Sequence, residues 1–298
     1  MAFSPRARFS WQVRARTLAL GKRTLLMSIL NLTPDSFSGD GLAASMVDAA
    51  LHTAIERLDG GADILDLGAE STRPGAEPLS ADTEQARLLP VLEAVLRERP
   101  AAVISVDTYH AATARAAGRA GAQIINDVSG LLWDEDMAAA VAETRCGVVL
   151  THTRGKPAEW RKQPPLAPKE VVPLVLDGLR ERLAAAEAAG IARDCIVLDP
   201  GFGFGKRGAE NFTLLAGFAK LHKLDCPLLA GVSRKGFLGD ALADLRFYGR
   251  AASGDRVNAT TAANVAAILA GAHIVRVHDL QEAREAAVIA DAISAANK

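Results

Sequence analysis

The sequence predicts an α/β protein, a single closed (β/α)₈ (TIM) barrel, on three observations. A short apolar, β-branched run followed by a helix-period pattern recurs eight times along 298 residues. The runs are continuously apolar instead of alternating, as expected for parallel strands covered on both faces. Polar residues collect just after these runs, at the end of the strands where such a barrel builds its site. Strands alternating with helices imply a parallel sheet with right-handed crossovers. Eight such units in ~250 residues fit a closed barrel better than an open doubly wound sheet.

In chain order, the strand candidates are 25–30, 62–68, 102–107, 123–128, 147–151, 195–198, 227–232 and 273–277. Ahead of them, residues 9–24 read as a hairpin that closes the barrel bottom, with a turn at Gly21-Lys22. Residues 1–24 are then an extension of one domain spanning 1–298. Val47, Leu51, Ile55 and Leu58 form one helical stripe, which stops at Gly60-Gly61. Val172, Leu176, Leu179 and Leu183 form another, with Gly190 suited to the left-handed position just beyond a helix. Ser80 before Glu84, and Asp279 before Glu282, mark helix starts. Two loops are long, 155–169 and 239–257, and no linker or low-complexity tract divides the chain.

Composition narrows the function. Thirty-four Lys and Arg against 35 Asp and Glu give a net charge of −1, so no bulk positive field exists to hold nucleic acid or an anionic membrane. The longest apolar runs, such as 101–106, fall far short of the ~20 residues that span a bilayer. The basic start (Arg6, Arg8, Arg14, Arg16) is not followed by a signal-peptide core. Cys146, Cys195 and Cys226 are far apart and odd in number, which reads as reduced structural thiols in a cytoplasmic enzyme.

The strand ends carry the chemistry. They supply Asn31, Asp66, Asp107, Asn126-Asp127, His152, Arg154, Asp199, Ser233-Arg234-Lys235, Arg276 and His278-Asp279. A single Asp at such a place is commonly a cap or a loop-ordering group. Asp107, Asn126 and Asp199 with Lys235 make a stronger set, because acceptors, an amide and a cation would ring one mouth. That set suits a flat heterocycle with guanidine-like donors on one edge and carbonyl acceptors on another. The glycine run 201–205 is not a nucleotide fingerprint, since Lys206 occupies the third glycine position, nor a Walker loop. A tight turn, or a backbone that a ligand approaches with Phe202 or Phe204 lending a ring, are both open. The six histidines are dispersed, so a metal site made of protein ligands alone is not expected. Arg276, His278 and the amides near Asp279 would meet a phosphate, which barrels commonly bind after their last two strands. No Gly-x-Ser-x-Gly elbow supports a serine nucleophile, and Ser233 reads as a turn residue.

Seven segments together resemble the dihydropteroate synthase family. They are Asn31-Leu-Thr-Pro-Asp-Ser-Phe-Ser, Glu70-Ser-Thr-Arg-Pro-Gly, Ser105-Val-Asp-Thr-Tyr, Asn126-Asp-Val-Ser-Gly, Asp199-Pro-Gly-Phe-Gly-Phe-Gly-Lys, Ser233-Arg-Lys and Arg276-Val-His-Asp, in the family's order. The resemblance implies a transferase that joins 6-hydroxymethyl-7,8-dihydropterin diphosphate to p-aminobenzoate by an SN1-like route. It implies pterin-edge contacts at Asp107, Asn126, Asp199 and Lys235, with Gly203 and Phe204 in the pocket wall. It implies a diphosphate and Mg²⁺ site at Asn31, Arg276 and His278, with Asn31 as the metal ligand and Thr72 and Asp66 close by. Phe37, Thr72, Arg73 and Pro74, on the loops after the first two barrel strands, would close over p-aminobenzoate. Asp107, Asp199, Lys235, Arg276 and Asn31 would carry the chemistry, in a homodimer.

The chain departs from the family pattern at a few places. Ser38-Gly39-Asp40-Gly41 replaces the usual Ser-Asp-Gly-Gly, Ala69 stands where Gly is usual, and Thr151-His-Thr-Arg-Gly replaces Met-His-Met-Arg-Gly. Gly236 stands where many members carry a Ser whose hydroxyl and amide can both reach the p-aminobenzoate carboxylate. The hydroxyl is lost here, which implies weaker binding of p-aminobenzoate and of sulfonamides. None of these changes removes a group the chemistry requires. The alternatives are a pterin-binding barrel that moves a methyl group from methyltetrahydrofolate to a corrinoid protein, and a non-catalytic pterin-binding paralogue. The first would not need the loops carrying Phe37 and Arg73. Retention of those loops, Lys235 and Arg276 argues against the second.

Overall fold

The eight apolar runs become eight parallel strands in a computed structural model that describes residues 6–33, 43–70, 78–243 and 252–296. They are β3 (Leu25–Asn31), β4 (Ile64–Gly68), β5 (Ile104–Asp107), β6 (Ile124–Asp127), β7 (Gly147–Thr151), β8 (Ile196–Asp199), β9 (Leu229–Ala230) and β10 (Ile274–Val277). Their order is β8-β7-β6-β5-β4-β3-β10-β9, and a parallel bridge between Leu198 and Leu228 joins the two ends into a ring. Helices α1 (Ala43–Asp59), α2 (Ala81–Glu98), α3 (Ala111–Ala120), α4 (Met137–Thr144), α5 (Pro168–Ala188), α6 (Gly208–Ala216), α7 (Gly236–Ala241), α8 (Val257–Leu269) and α9 (Leu280–Ala296) alternate with the strands.

The helix signals worked through the expected contacts. On α5, Val172, Leu179 and Leu183 are buried, and Gly190 adopts φ +86° just beyond it. Ser80 caps α2, its hydroxyl accepting from Thr83 N at 3.2 Å. Asp279 stands directly before α9 and its carbonyl accepts from Ala283 N at 3.1 Å, while its carboxylate accepts from Arg234 Nε at 3.0 Å.

The N-terminal hairpin is present, with its turn one strand earlier than the glycine suggested. β1 (Phe9–Val13) pairs antiparallel with β2 (Arg16–Leu20), and the chain reverses at Arg14-Ala15, where Arg14 takes φ +60°. A two-residue hairpin loop needs a positive φ, and Arg14 accepts it in place of a glycine. Trp11, Val13 and Leu20 pack against Leu25, Met27, Ile64, Ile124, Val149, Val197, Leu229 and Ile274, at the entry end of the strands. The hairpin therefore closes the bottom of the barrel.

Strand register sets up the opposite end. Asn31 is level with Gly68, Gly68 with Asp107, and Asp107 with Asn126. Asp66 lies two residues before Gly68, so it shares Gly68's inward face one layer down. Four adjacent strands thus bring acceptors and amides to one mouth.

Candidate active site

An arginine crosses the floor of this mouth. Arg276, on β10, donates from Nε to Asp66 Oδ2 and from Nη2 to Asp107 Oδ2, each at 2.6 Å. Asn126 Nδ2 donates to the same Asp66 oxygen at 3.1 Å. Asp66 is fully buried, so it supports Arg276 and Asn126 from beneath, one layer below the surface a ligand would meet. Burial pushes the Asp107 carboxyl up to about 7, against the pull of Arg276 and with the help of Asp66. Asn126 and Asp127 face opposite ways, as successive strand residues must. Asp127 accepts from Ser129 N and Leu131 N at 2.8 and 2.6 Å, which makes it the loop-ordering residue of the pair.

Across the mouth, Asp199 ends β8 and accepts from Gly201 N at 2.8 Å. Burial raises its pKa, while that N–H, Lys235, Arg276 and Lys206 oppose the rise. Lys235 stands just ahead of α7 with Nζ 4.0 Å from the centroid of the Phe204 ring, a cation–π contact. Burial and Arg276 lower its pKa to about 8, against Asp199 and Asp107. The glycine run is a tight turn. Gly201, Gly203 and Gly205 have φ of +66°, +81° and +71°, and a Cβ at Gly205 would come within 2.6 Å of the Arg154 Cβ. The turn presents Phe204 to Lys235, whereas Phe202 points into the core beside Phe218. Gly203 N donates to Asn211 Oδ1 at 2.7 Å.

The side of the mouth that carries His278 contains a residue whose local sequence reads as a turn. Ser233 Oγ accepts from His278 N at 3.2 Å and lies 3.0 Å from His278 Nδ1. The hydroxyl therefore bonds both the backbone and the ring of His278 and fixes the ring's orientation. Burial and the Arg276 and Arg234 charges push the His278 pKa down to about 3. Arg57 Nη1 holds the His278 carbonyl at 2.8 Å and Ser28 Oγ at 2.9 Å. Only the tertiary contact distinguishes Ser233 from a turn residue; its place beside Arg234-Lys235 was the available signal.

Asn31 ends β3 and offers a single neutral amide oxygen. Among the described residues, no group of three His, Cys, Asp or Glu side chains could hold a metal ion. Phe37, Thr72, Arg73 and Pro74 lie outside the described residues. Glu70, just before the second of those segments, accepts from Tyr109 Oη at 2.8 Å and from Leu79 N at 3.2 Å. The three cysteines are unpaired, with Cys146 and Cys226 buried. No helix among the described residues is long and apolar enough to cross a membrane.

A parallel barrel whose C-terminal mouth gathers Asp107, Asn126, Asp199, Lys235 and Arg276 defines a ligand-binding barrel enzyme. A family model described as "Pterin binding enzyme" matches residues 27–278. The dihydropteroate synthase of Escherichia coli K12 is 40% identical over 92% of this chain and 93% of its own. Two solved structures of the Xanthomonas albilineans dihydropteroate synthase superpose on it. The one with 4-aminobenzoic acid has a TM-score of 0.86 at 38% identity, covering 97% of this chain and 99% of that one. The one with 7,8-dihydropteroate has a TM-score of 0.81 at 36% identity, with the same coverage of both chains. The chain belongs to the dihydropteroate synthase family of pterin-binding enzymes.

Proposed function

We propose that the chain condenses 6-hydroxymethyl-7,8-dihydropterin diphosphate with p-aminobenzoate, giving 7,8-dihydropteroate and pyrophosphate for folate biosynthesis. The observation that carries this reading is the ring of Asp107, Asn126, Asp199 and Lys235 around one mouth, whose carboxylates are held only in part by Arg276 and Gly201. Pterin ring donors would complete Asp199 and Asp107, and Asn126 and Lys235 would meet its acceptors. Phe204 and Gly203 would wall the ring. A pterin that takes Asp107 releases one arm of Arg276, which can then turn to the diphosphate beside His278.

The proposed mechanism begins with cleavage of the exocyclic C–O bond. The electron pair leaves with pyrophosphate, and the positive charge spreads over the dihydropterin. Asp107 and Asp199 stabilise that charge from fixed positions in a partly dry site. The arylamine nitrogen then attacks the methylene and loses a proton; being neutral near pH 7, it needs no strong base. Phe37, Thr72, Arg73 and Pro74 would position the arylamine and exclude water that could trap the cation. The donor set fits Mg²⁺ as an ion arriving with the diphosphate, held by Asn31, phosphate oxygens and water. When bound, it would neutralise charge on the departing pyrophosphate. The reading includes one domain, a homodimer and a cytoplasmic location, which the unpaired cysteines favour.

A coupled pyrophosphate assay tests it. Release should require both the pterin diphosphate and p-aminobenzoate, with dihydropteroate formed in equal amount. Binding without release would instead indicate the paralogue, and methyl transfer from methyltetrahydrofolate the corrinoid-linked enzyme.

A further inference from the structure

Lys206 is a buried amine that the chemistry above does not use, and burial lowers its pKa to about 7. It is 4% exposed, and its Nζ lies 3.0 Å from His152 Nδ1, 3.3 Å from His152 O and 3.1 Å from Phe204 O. The His152 and Phe204 carbonyls accept from it, two bonds that the amine and the ammonium can both make. His152 Nδ1 accepts from the ammonium form of Lys206. Burial and the Lys206 charge both lower the His152 pKa. The ring has little freedom to leave, since a Cβ at Gly178 of α5 would lie 2.6 Å from His152 Cδ2.

This grip joins two loops at the mouth. His152 follows β7, and its N donates to Asp199 O at 2.9 Å. Phe204 lies on the turn after β8, whose Gly201 N holds the Asp199 carboxylate. Arg154 Nη1 adds a bond to Gly205 O at 3.1 Å. The indole of Trp160 packs edge-on against Phe204 at 4.9 Å between centroids. The charged groups facing Lys206 are Asp199 on β8, Arg154 after β7, Lys235 before α7 and Glu210 on α6. Glu210 is engaged elsewhere, accepting from Arg207 N and Leu166 N at 2.8 Å each. Burying an ammonium among neutral acceptors is costly. An apolar side chain could fill the same space, but it could not hold the Phe204 carbonyl.

We propose that Lys206 is a positioning residue for the pterin pocket, fixing the 201–205 turn so that Phe204 stays against Lys235 and Asp199 keeps its orientation. The inference rests on the reading that this mouth binds a dihydropterin. It requires Lys206 to act through Phe204, so the two residues should not behave independently.

The test is calorimetric binding of the pterin diphosphate to the parent, Lys206→Met, Phe204→Ala and the double variant, with a crystal structure of Lys206→Met. Misplacing a binding wall by about 1 Å can cost as much as roughly 100-fold. Lys206→Met should lose on the order of 10- to 100-fold in affinity, and the double variant should bind about as Phe204→Ala does. Unchanged affinity in Lys206→Met, or losses that multiply in the double variant, would overturn the proposal. If the parent itself fails to bind the pterin diphosphate, the functional reading fails and the crystal structure decides. A Phe204 ring displaced from Lys235 supports positioning, and an unmoved ring overturns it. Should Lys206→Met not fold, Lys206→Gln, which retains two donors, takes its place in both experiments. Failure of both to fold would make Lys206 a residue of the core and overturn the proposal.

Discussion

At the entry end of its strands the barrel is filled by Trp11, Val13 and Leu20 packed on Met27, Ile64, Ile124 and Ile274. The polar atom of Trp11 is satisfied there, Nε1 donating to Cys195 O at 2.8 Å. At the exit end the same strands deliver Asp66, Asp107, Asn126, Asp199 and Arg276. There burial raises both Asp107 and Asp199, and Asp66 Oδ1 is buried without a partner among the described residues. One end gains stability from apolar burial; the other holds charges at a cost to stability and gains a place for a ligand's donors and acceptors. Substitutions at the two ends should therefore separate folding from binding.

The largest effect is expected at the floor. Trp11→Ala should destabilise the fold by about 3–5 kcal/mol, as truncating a buried aromatic does. Denaturant unfolding measures this, and affinity for the pterin diphosphate in the remaining folded protein should stay within about twofold of the parent. A floor variant that lost binding at full stability would break the division.

At the mouth, Lys235→Met should weaken pterin binding by roughly 10- to 100-fold, the loss of a charged hydrogen-bond partner. Its stability should move the other way. The Lys235 pKa falls from 10.5 to about 8 on folding, so its contribution is complete above 10.5 and is lost as pH falls through about 8. At pH 7 the charged side chain carries a penalty that methionine lacks, and the melting temperature should be no lower than the parent's.

Asp107 gives a sharper version of the same contrast. Its carboxyl rises from 3.8 to about 7, so its contribution to stability is present below 3.8 and lost as pH rises through about 7. Pterin affinity should rise over that same upper range, because the ionised group accepts from more donors. Subtracting the Asp107→Asn profile from the parent's, for melting and for calorimetric affinity, should give slopes of opposite sign. Two slopes of one sign would mean that Asp107 serves folding and binding alike.

The smallest effect is expected at Gly236, which opens α7 directly after Lys235. Gly236→Ser should tighten p-aminobenzoate and sulfonamides together by at most about 10-fold, the low end for a hydrogen bond to a charged group. Pterin affinity should not change. Titration of the protein loaded with pterin and pyrophosphate reads both ligands.

The floor and the mouth were also unequally legible in the sequence. The strands showed because continuous apolar runs leave a strong one-dimensional signal. The candidate at 227–232 shrank most, to Leu229–Ala230. The hairpin turn was displaced because Arg14 accepts a left-handed conformation normally assigned to glycine. At the mouth, Asp107, Asn126 and Asp199 could be picked out because they end apolar runs. Asp66 and Asp127 have the same composition and position, and only register and strand alternation separate their duties. Ser233 and Lys206 were hidden for another reason. Their partners lie 45 and 54 residues away, so the local sequence does not show what they hold.

The most direct test of the account is Asp199→Asn, read by calorimetry with the pterin diphosphate and by thermal melting on the same preparation. The amide replaces a carboxylate that accepts from ligand donors with a group that must also donate. Affinity should fall by roughly 10- to 100-fold. The melting temperature should be unchanged or higher, because a buried charge has been removed. Parent-like affinity, or a loss of stability as large as the loss of binding, would contradict the claim that this carboxylate is held at the mouth for a ligand.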